Sequence, residues 1–276
     1  SVLSREAMFV VNNWLLLGIC MFIVIATTWP KVSEWLWKER LTVGASFYKQ
    51  IPELAKRYRV IVHDHRGCGQ SDRPVMRYAM GQMTQDVLRL MDALGIEQAH
   101  YLGHSTGGAI GQIIAVEHPQ RLKKLVLSST WTHADAFFTR LFEARHALLR
   151  HTGPMGYLRA TSAVLYPPWW VAQNETLAAE QERQQAASFP PVDVVLSRIE
   201  AIMRFDRRRD LGRIRTPTLV TVATDDMVTP MYFSQALAKA IPGAKLKLFE
   251  RGGHMPYHVV DEEYTRTVLD FLSSQG

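Results

Sequence analysis

Cysteine is nearly absent, and that excludes several classes of protein at once. Two cysteines in 276 residues, Cys20 in an apolar run and Cys68 in a glycine-rich turn, cannot form a disulfide framework, and neither has the spacing of a zinc site. Strong charge of one sign is also missing. Thirty-two Lys and Arg against 26 Asp and Glu leave a formal charge of +6. Much of that excess lies in Arg204, Arg207, Arg208, Arg209, Arg213 and Arg215, which read as a solvated helix face, so no nucleic-acid partner is expected. Nor is there the polar, apolar-poor composition of a disordered chain. With 47% hydrophobic and 21% charged residues, the chain is long enough to bury a sizeable core in one large domain.

Charge is missing altogether from Ala7 to Pro30, and Trp14 to Trp29 is apolar nearly throughout with a Trp at each end. A run of this length with aromatic ends can span a bilayer, so residues 7–30 are expected to associate with a membrane. A buried core helix or strand pair is the alternative. A signal peptide fits less well, because no small-x-small cleavage site follows the run. Lys31, Lys38 and Arg40 after it, against Arg5 before it, favour a cytoplasmic, membrane-anchored downstream domain. Ser4-Arg-Glu-Ala-Met-Phe9 with Asn12-Asn13 and Leu41-Thr-Val-Gly44 resembles a fragment of the membrane subunit of the cytochrome c-type biogenesis haem lyase. That resemblance covers residues 1–45 and carries no assignable haem ligand.

From Ile51 onward strand-like and helix-like stretches alternate. Ile51–Tyr58 reads as a short helix, Val60–Asp64 as a buried strand, and Asp64 to Asp72 as a tight turn. Thr84–Leu94 has helical spacing, with Val87, Leu88, Leu90, Met91 and Leu94 on one face. Leu122–Ser128 reads as another strand. Such alternation predicts an α/β fold with a doubly wound, mostly parallel sheet. Residues 131–210 break the pattern. Helical patches interrupted by Gly153-Pro154, Pro167-Pro168 and Pro190-Pro191 predict a helical cap inserted after the strand that ends near Ser128.

The chemistry centres on Gly103-His104-Ser105-Thr106-Gly107, between an apolar run and a helix-like stretch. A sharp strand-to-helix turn exposes its middle hydroxyl, so Ser105 is the candidate nucleophile and the Thr106 N–H a candidate oxyanion donor at the helix N-terminus. Past Thr218–Val222 come Asp225-Asp226 and then Pro230. Past Lys245–Phe249 come Gly252-Gly253-His254. Each candidate follows a strand, at the sheet edge where ligands bind. A serine hydroxyl needs a base, and His254 is the candidate because a neutral imidazole can take and return a proton. One adjacent carboxylate would hold the imidazole in the right tautomer. The residues alone leave Asp225 and Asp226 both open.

Asp64-His-Arg-Gly-Cys-Gly-Gln-Ser71, Gly103-His-Ser-Thr-Gly-Gly108, Asp226 four residues before Pro230, and Gly252-Gly-His254 together resemble the α/β-hydrolase superfamily over residues 46–276. Ser128-Ser-Thr-Trp131, Leu165-Tyr-Pro-Pro-Trp-Trp170 and Phe205-Asp-Arg-Arg208 are most similar to the aminoacrylate hydrolases of pyrimidine degradation and to enol-lactone hydrolases. The resemblance implies a serine hydrolase of a small acyl, enol-ester or aminoacrylate-like substrate, with Ser105, His254 and Asp226 catalytic and no cofactor or metal. Asp226 is preferred for its spacing to Pro230. His104, Trp131, Phe138, Tyr166, Trp169 and Trp170 are candidate pocket residues; for the aromatic residues of the cap, packing in its own core is the competing use. The family's second oxyanion donor would fall near Lys38-Glu39-Arg40, which does not match its usual His-Gly pair. The early strands are replaced by the apolar segment, which makes a catalytically impaired or inactive chain the rival reading.

Overall fold

A computed structural model describes residues 50–274. The apolar run at 7–30, the haem-lyase-like stretch and Lys38-Glu39-Arg40 lie outside these residues.

Helix α1 (Gln50–Ala55) opens the described chain, and α2 (Met80–Ala93) follows the glycine-rich turn. Its Met80, Met83, Val87, Leu88 and Met91 repeat at helical spacing and are buried. Strand β1 (Ala99–His104) leads into α3 (Thr106–Glu117) and then β2 (Leu122–Ser128). Four cap helices follow: α4 (Ala136–Leu165), α5 (Pro168–Gln173), α6 (Glu175–Ala187) and α7 (Val192–Met203). Strand β3 (Thr218–Ala223), α8 (Met231–Ala240), β4 (Lys245–Phe249), α9 (Pro256–Val259) and α10 (Asp261–Ser273) complete the chain.

The four strands are parallel in the order β1-β2-β3-β4. Parallel neighbours require a crossover, and each pair is joined by one helix or by the whole cap. Strand β3 is buried along its length and β2 at all but one position, whereas Leu102 on β1 and Leu246 and Leu248 on β4 are more than one-third exposed. The sheet is covered on both faces. A Cβ on Gly111 of α3 would lie 3.1 Å from Leu125, while the adjacent Lys124 points to the opposite face and donates to the carbonyls of Phe271 and Leu272 at the end of α10. That lysine supplies the positive charge a helix C-terminus favours.

The cap departs from the sheet and returns to it side by side. His133 bridges Asp206, and Arg207 N–H donates to the Thr132 carbonyl at 2.9 Å. Asp135 starts α4 by accepting from the Phe138 N–H at 2.8 Å, and its other oxygen accepts from Tyr232 of α8 at 2.6 Å. Helix α4 kinks at Gly153, whose φ of 70° precedes Pro154, a residue that cannot continue the hydrogen-bond ladder.

One expectation fails. Val60–Asp64 forms no strand, and Ile61 and Val62 are 41% and 54% exposed. Its composition suits a strand, but a strand needs a neighbour to accept its backbone hydrogen bonds, and no described strand pairs with it. Helix α2 also begins four residues earlier than its apolar spacing indicates. Among the described residues no helix is long and apolar enough to cross a membrane.

Candidate active site

Ser105 sits on a bend that few residues tolerate. Its φ is 51° and ψ −116°, and only one other described non-glycine residue, Ser129 at the end of β2, has positive φ. The bend is held from three sides. Ser105 N–H donates to the Ser128 carbonyl at 2.9 Å, and the Ser105 carbonyl accepts from Gly108 N–H at 2.9 Å and from the Thr130 hydroxyl at 2.8 Å. Close backbone approach explains the small residues. A Cβ on Gly103 would stand 2.3 Å from the Gly107 carbonyl oxygen, and one on Gly108 would stand 2.6 Å from Thr130 Cβ. Gly107 itself meets nothing closer than 3.9 Å, so the steric demand after the serine falls on Gly108. Thr106 is the first residue of α3, where backbone N–H groups have no intrahelical acceptor and the helix end favours negative charge.

His254 Nε2 lies 3.0 Å from Ser105 Oγ, and His254 Nδ1 lies 2.9 Å from Asp226 Oδ2. Both His254 and Asp226 are 3% exposed. The neighbouring carboxylates do different things. Asp225 accepts from the Gly253 N–H at 2.8 Å and so fixes the loop that carries His254. Asp226 accepts from the N–H groups of Val228 and Thr229, both at 2.8 Å, from the Thr229 hydroxyl at 2.9 Å, and from His254. Burial pushes the Asp226 carboxyl up, but the His254 charge and these donors outweigh it and hold the carboxyl below its ordinary range. The loop is also anchored to the cap, since His254 N–H donates to the Leu165 carbonyl at 2.8 Å.

The expected pocket residues fall into four groups. His104 packs beside His254, its ring 4.9 Å from that of His254 and 4.8 Å from Tyr257, with Nδ1 3.4 Å from Ser128 Oγ. Burial, with the like charge of His254, lowers its pKa well below the ordinary value and keeps it neutral. Tyr166 and Trp170 flank the His254 loop. Their rings stack at 4.2 Å, and the Tyr166 hydroxyl is 3.2 Å from His258 Nδ1. Trp131 and Phe138 belong to the hydrophobic core, stacked at 5.1 Å and at most 1% exposed. Trp169 is 37% exposed, and Arg251 lies over its ring at 5.2 Å.

Thr130 and Thr229 are absent from the residues the sequence singles out. Thr229 carries a legible signal, because a hydroxyl three residues after an aspartate is placed to close on that carboxylate in a turn. Thr130 carries none, since its contact with Ser105 depends on how β2 ends beside β1. Cavities of about 290 and 260 Å³ lie elsewhere, one lined by Met80, Arg204 and Asp206 and the other by His63, His65 and Asp86. Among the described residues no group of three His, Cys, Asp or Glu side chains could hold a metal ion.

The arrangement can deprotonate a hydroxyl, pass the proton along an imidazole and face a developing anion with a helix N-terminus. The chain is 40% identical over 229 residues to a protein of Azorhizobium caulinodans named "Putative carbamate hydrolase RutD", covering 83% of this chain and 86% of that one. It is 39% identical over 234 residues to a protein of the same name from a Caulobacter species, covering 84% and 87%. The enol-lactonase from Burkholderia xenovorans LB400 superposes with a TM-score of 0.77 at 28% identity, covering 83% of this chain and 86% of that one. The family described as alpha/beta hydrolase fold matches residues 24–259, a stretch that begins inside the segment resembling the haem lyase. The chain belongs to the alpha/beta hydrolase fold family.

Proposed function

We propose that the protein is a serine hydrolase of a small acyl substrate, of the carbamate, enol-ester or aminoacrylate-like class, in which Ser105 is the nucleophile, His254 the base and Asp226 its partner. One observation carries this: a continuous hydrogen-bonded chain runs from Ser105 Oγ through both ring nitrogens of His254 to Asp226. As Ser105 Oγ attacks the substrate carbonyl, its proton passes to His254 Nε2. Asp226 accepts a hydrogen bond from Nδ1–H throughout and stays ionised, so it sets the tautomer and stabilises the imidazolium that forms. The carbonyl oxygen becomes an oxyanion beside the Thr106 N–H. His254 then returns the proton to the leaving group; water, deprotonated by the same imidazole, attacks the acyl carbon, and His254 Nε2 gives that proton to Ser105 Oγ as the acyl group departs as the acid.

The substrate class follows from the relatives' names and from the site. His104, neutral and packed against His254, leaves the base with an uncharged neighbour, and Tyr166 and Trp170 add apolar area beside its loop. Such surroundings favour a compact substrate. The hydrogen-bonded chain and the hydrolase names of the relatives support this over a catalytically impaired protein. The test is steady-state hydrolysis of p-nitrophenyl acetate and of carbamate by the full chain and by Ser105→Ala. Turnover of at least one compound that disappears in the variant is expected. Turnover that survives in Ser105→Ala would overturn the assignment.

A further inference from the structure

We propose that Thr229 is a positioning residue of this site: its hydroxyl locks the Asp226 carboxylate and moderates the charge that carboxylate presents to His254. This rests on the serine-hydrolase reading above. Thr229 is fully buried, and its Oγ1 lies 2.9 Å from Asp226 Oδ2 and 3.3 Å from His254 Nδ1. Nδ1 carries a proton when it bonds the carboxylate, so the hydroxyl proton has one acceptor, Asp226 Oδ2. That is the oxygen closer to His254, at 2.9 Å against 3.1 Å for Oδ1.

Two consequences follow. The carboxylate cannot rotate, because Oδ1 is held by the N–H groups of Val228 and Thr229 while the hydroxyl of the same threonine holds Oδ2. A donor on Oδ2 also draws off part of the negative charge that stabilises the imidazolium. The hydroxyl therefore lessens the negative charge that Asp226 presents to the imidazolium. Other groups around His254 are untouched by a change at Thr229. His104 on β1 is neutral, Tyr257 lies behind it, Asp225 is occupied by Gly253 N–H, and on the cap side Tyr166 and His258 contact each other.

The test measures kcat, KM and the pH profile of kcat/KM with p-nitrophenyl acetate for the full chain, Thr229→Val, Thr229→Ser and Ser105→Ala. Loss of a hydrogen bond to a buried charge predicts kcat lower by about ten- to a hundred-fold in Thr229→Val, with KM within about two-fold. The acid limb should move to higher pH, by about half a unit to one unit. Thr229→Ser, which keeps the hydroxyl, should recover most of the rate and the parental limb. A purely structural threonine would lower the melting temperature without moving the limb. If Thr229→Val does not fold, Thr229→Ala removes the same hydroxyl and carries the same comparison. A valine or alanine variant with the parental rate and limb, or a serine variant no better than valine, would overturn the role of Thr229 provided that Ser105→Ala is inactive. Parental turnover in Ser105→Ala would instead overturn the hydrolase reading on which it rests.

Discussion

The C-terminal edge of the sheet and the cap are held together by different physics. At the sheet edge the contacts are short, directional and made largely by backbone, from the Gly103 approach to the Gly107 carbonyl to the donors around Asp226. In the cap they are broad and apolar, as in the Phe138–Phe142 stack at 4.3 Å, or exposed ion pairs such as Arg183 with Glu180 and Arg204 with Glu200. Directional contacts fail abruptly when one atom is added or removed. Apolar packing loses free energy in proportion to what is taken away, and exposed pairs contribute little. Chemistry belongs on the first kind of framework, whereas the second can be resurfaced for a different substrate without disturbing it.

The largest expected effect separates the two neighbouring carboxylates. Asp226→Asn should lower kcat on p-nitrophenyl acetate by ~10⁴-fold, because the amide cannot hold the productive tautomer of His254. Asp225→Asn keeps an oxygen acceptor for Gly253 N–H and should lower it about ten-fold or less. Similar losses in both would break the distinction between reacting and supporting groups.

Next come two glycines, one from each region. Gly103→Ala drives a methyl into a backbone carbonyl and should cost about 10²-fold in activity or prevent folding altogether. In the cap, Gly153→Ala meets no atom within 4 Å and pays only for a backbone conformation (φ 70°, ψ −172°) that non-glycine residues rarely adopt, about 1–3 kcal/mol in thermal unfolding, with kcat unchanged. Phe138→Ala tests the cap's packing directly. Removing a fully buried ring should cost about 3–5 kcal/mol in denaturant unfolding while the rate per folded molecule stays near parental.

Histidines outside the reacting group give a smaller, pH-dependent effect. Burial, with the charges of His63 and Arg198, lowers His65 to about 4. The unfolded chain therefore takes up a proton below about 6.5 that the folded protein refuses until about pH 4, and stability falls as pH drops through that window. Denaturant titrations should show His65→Gln losing about 2 kcal/mol less than the parent between pH 7 and pH 4. Smallest of all, Trp169→Ala removes the Arg251 contact at the exposed rim and should change stability by less than about 1 kcal/mol.

Much of this edge was legible because its requirements are local. Ser105 between small residues, and Asp226 and His254 each just past an apolar run, follow from turn geometry and strand ends. The cap was legible as an interruption, since Gly153-Pro154, Pro167-Pro168 and Pro190-Pro191 break helices wherever they occur. Features that depend on what lies alongside were not. Val60–Asp64 has strand composition, but pairing is a property of two segments. Trp131 and Trp169 are the same residue type in the same cap region, yet one is 1% exposed and the other 37%. Only the neighbours Phe138, Phe205 and Arg251 decide which is core and which is rim. Asp225 and Asp226 differ by a single position, and the loop from Gly252 to His254 separates their tasks.

The most direct measurement is covalent labelling of the purified full chain with a fluorophosphonate probe, read by intact mass and repeated on Ser105→Ala. An activated serine predicts one adduct per chain, lost in the variant. A folded parent that takes no label, or a Ser105→Ala variant labelled like the parent, would contradict the claim that Ser105, His254 and Asp226 act together as a hydrolytic site.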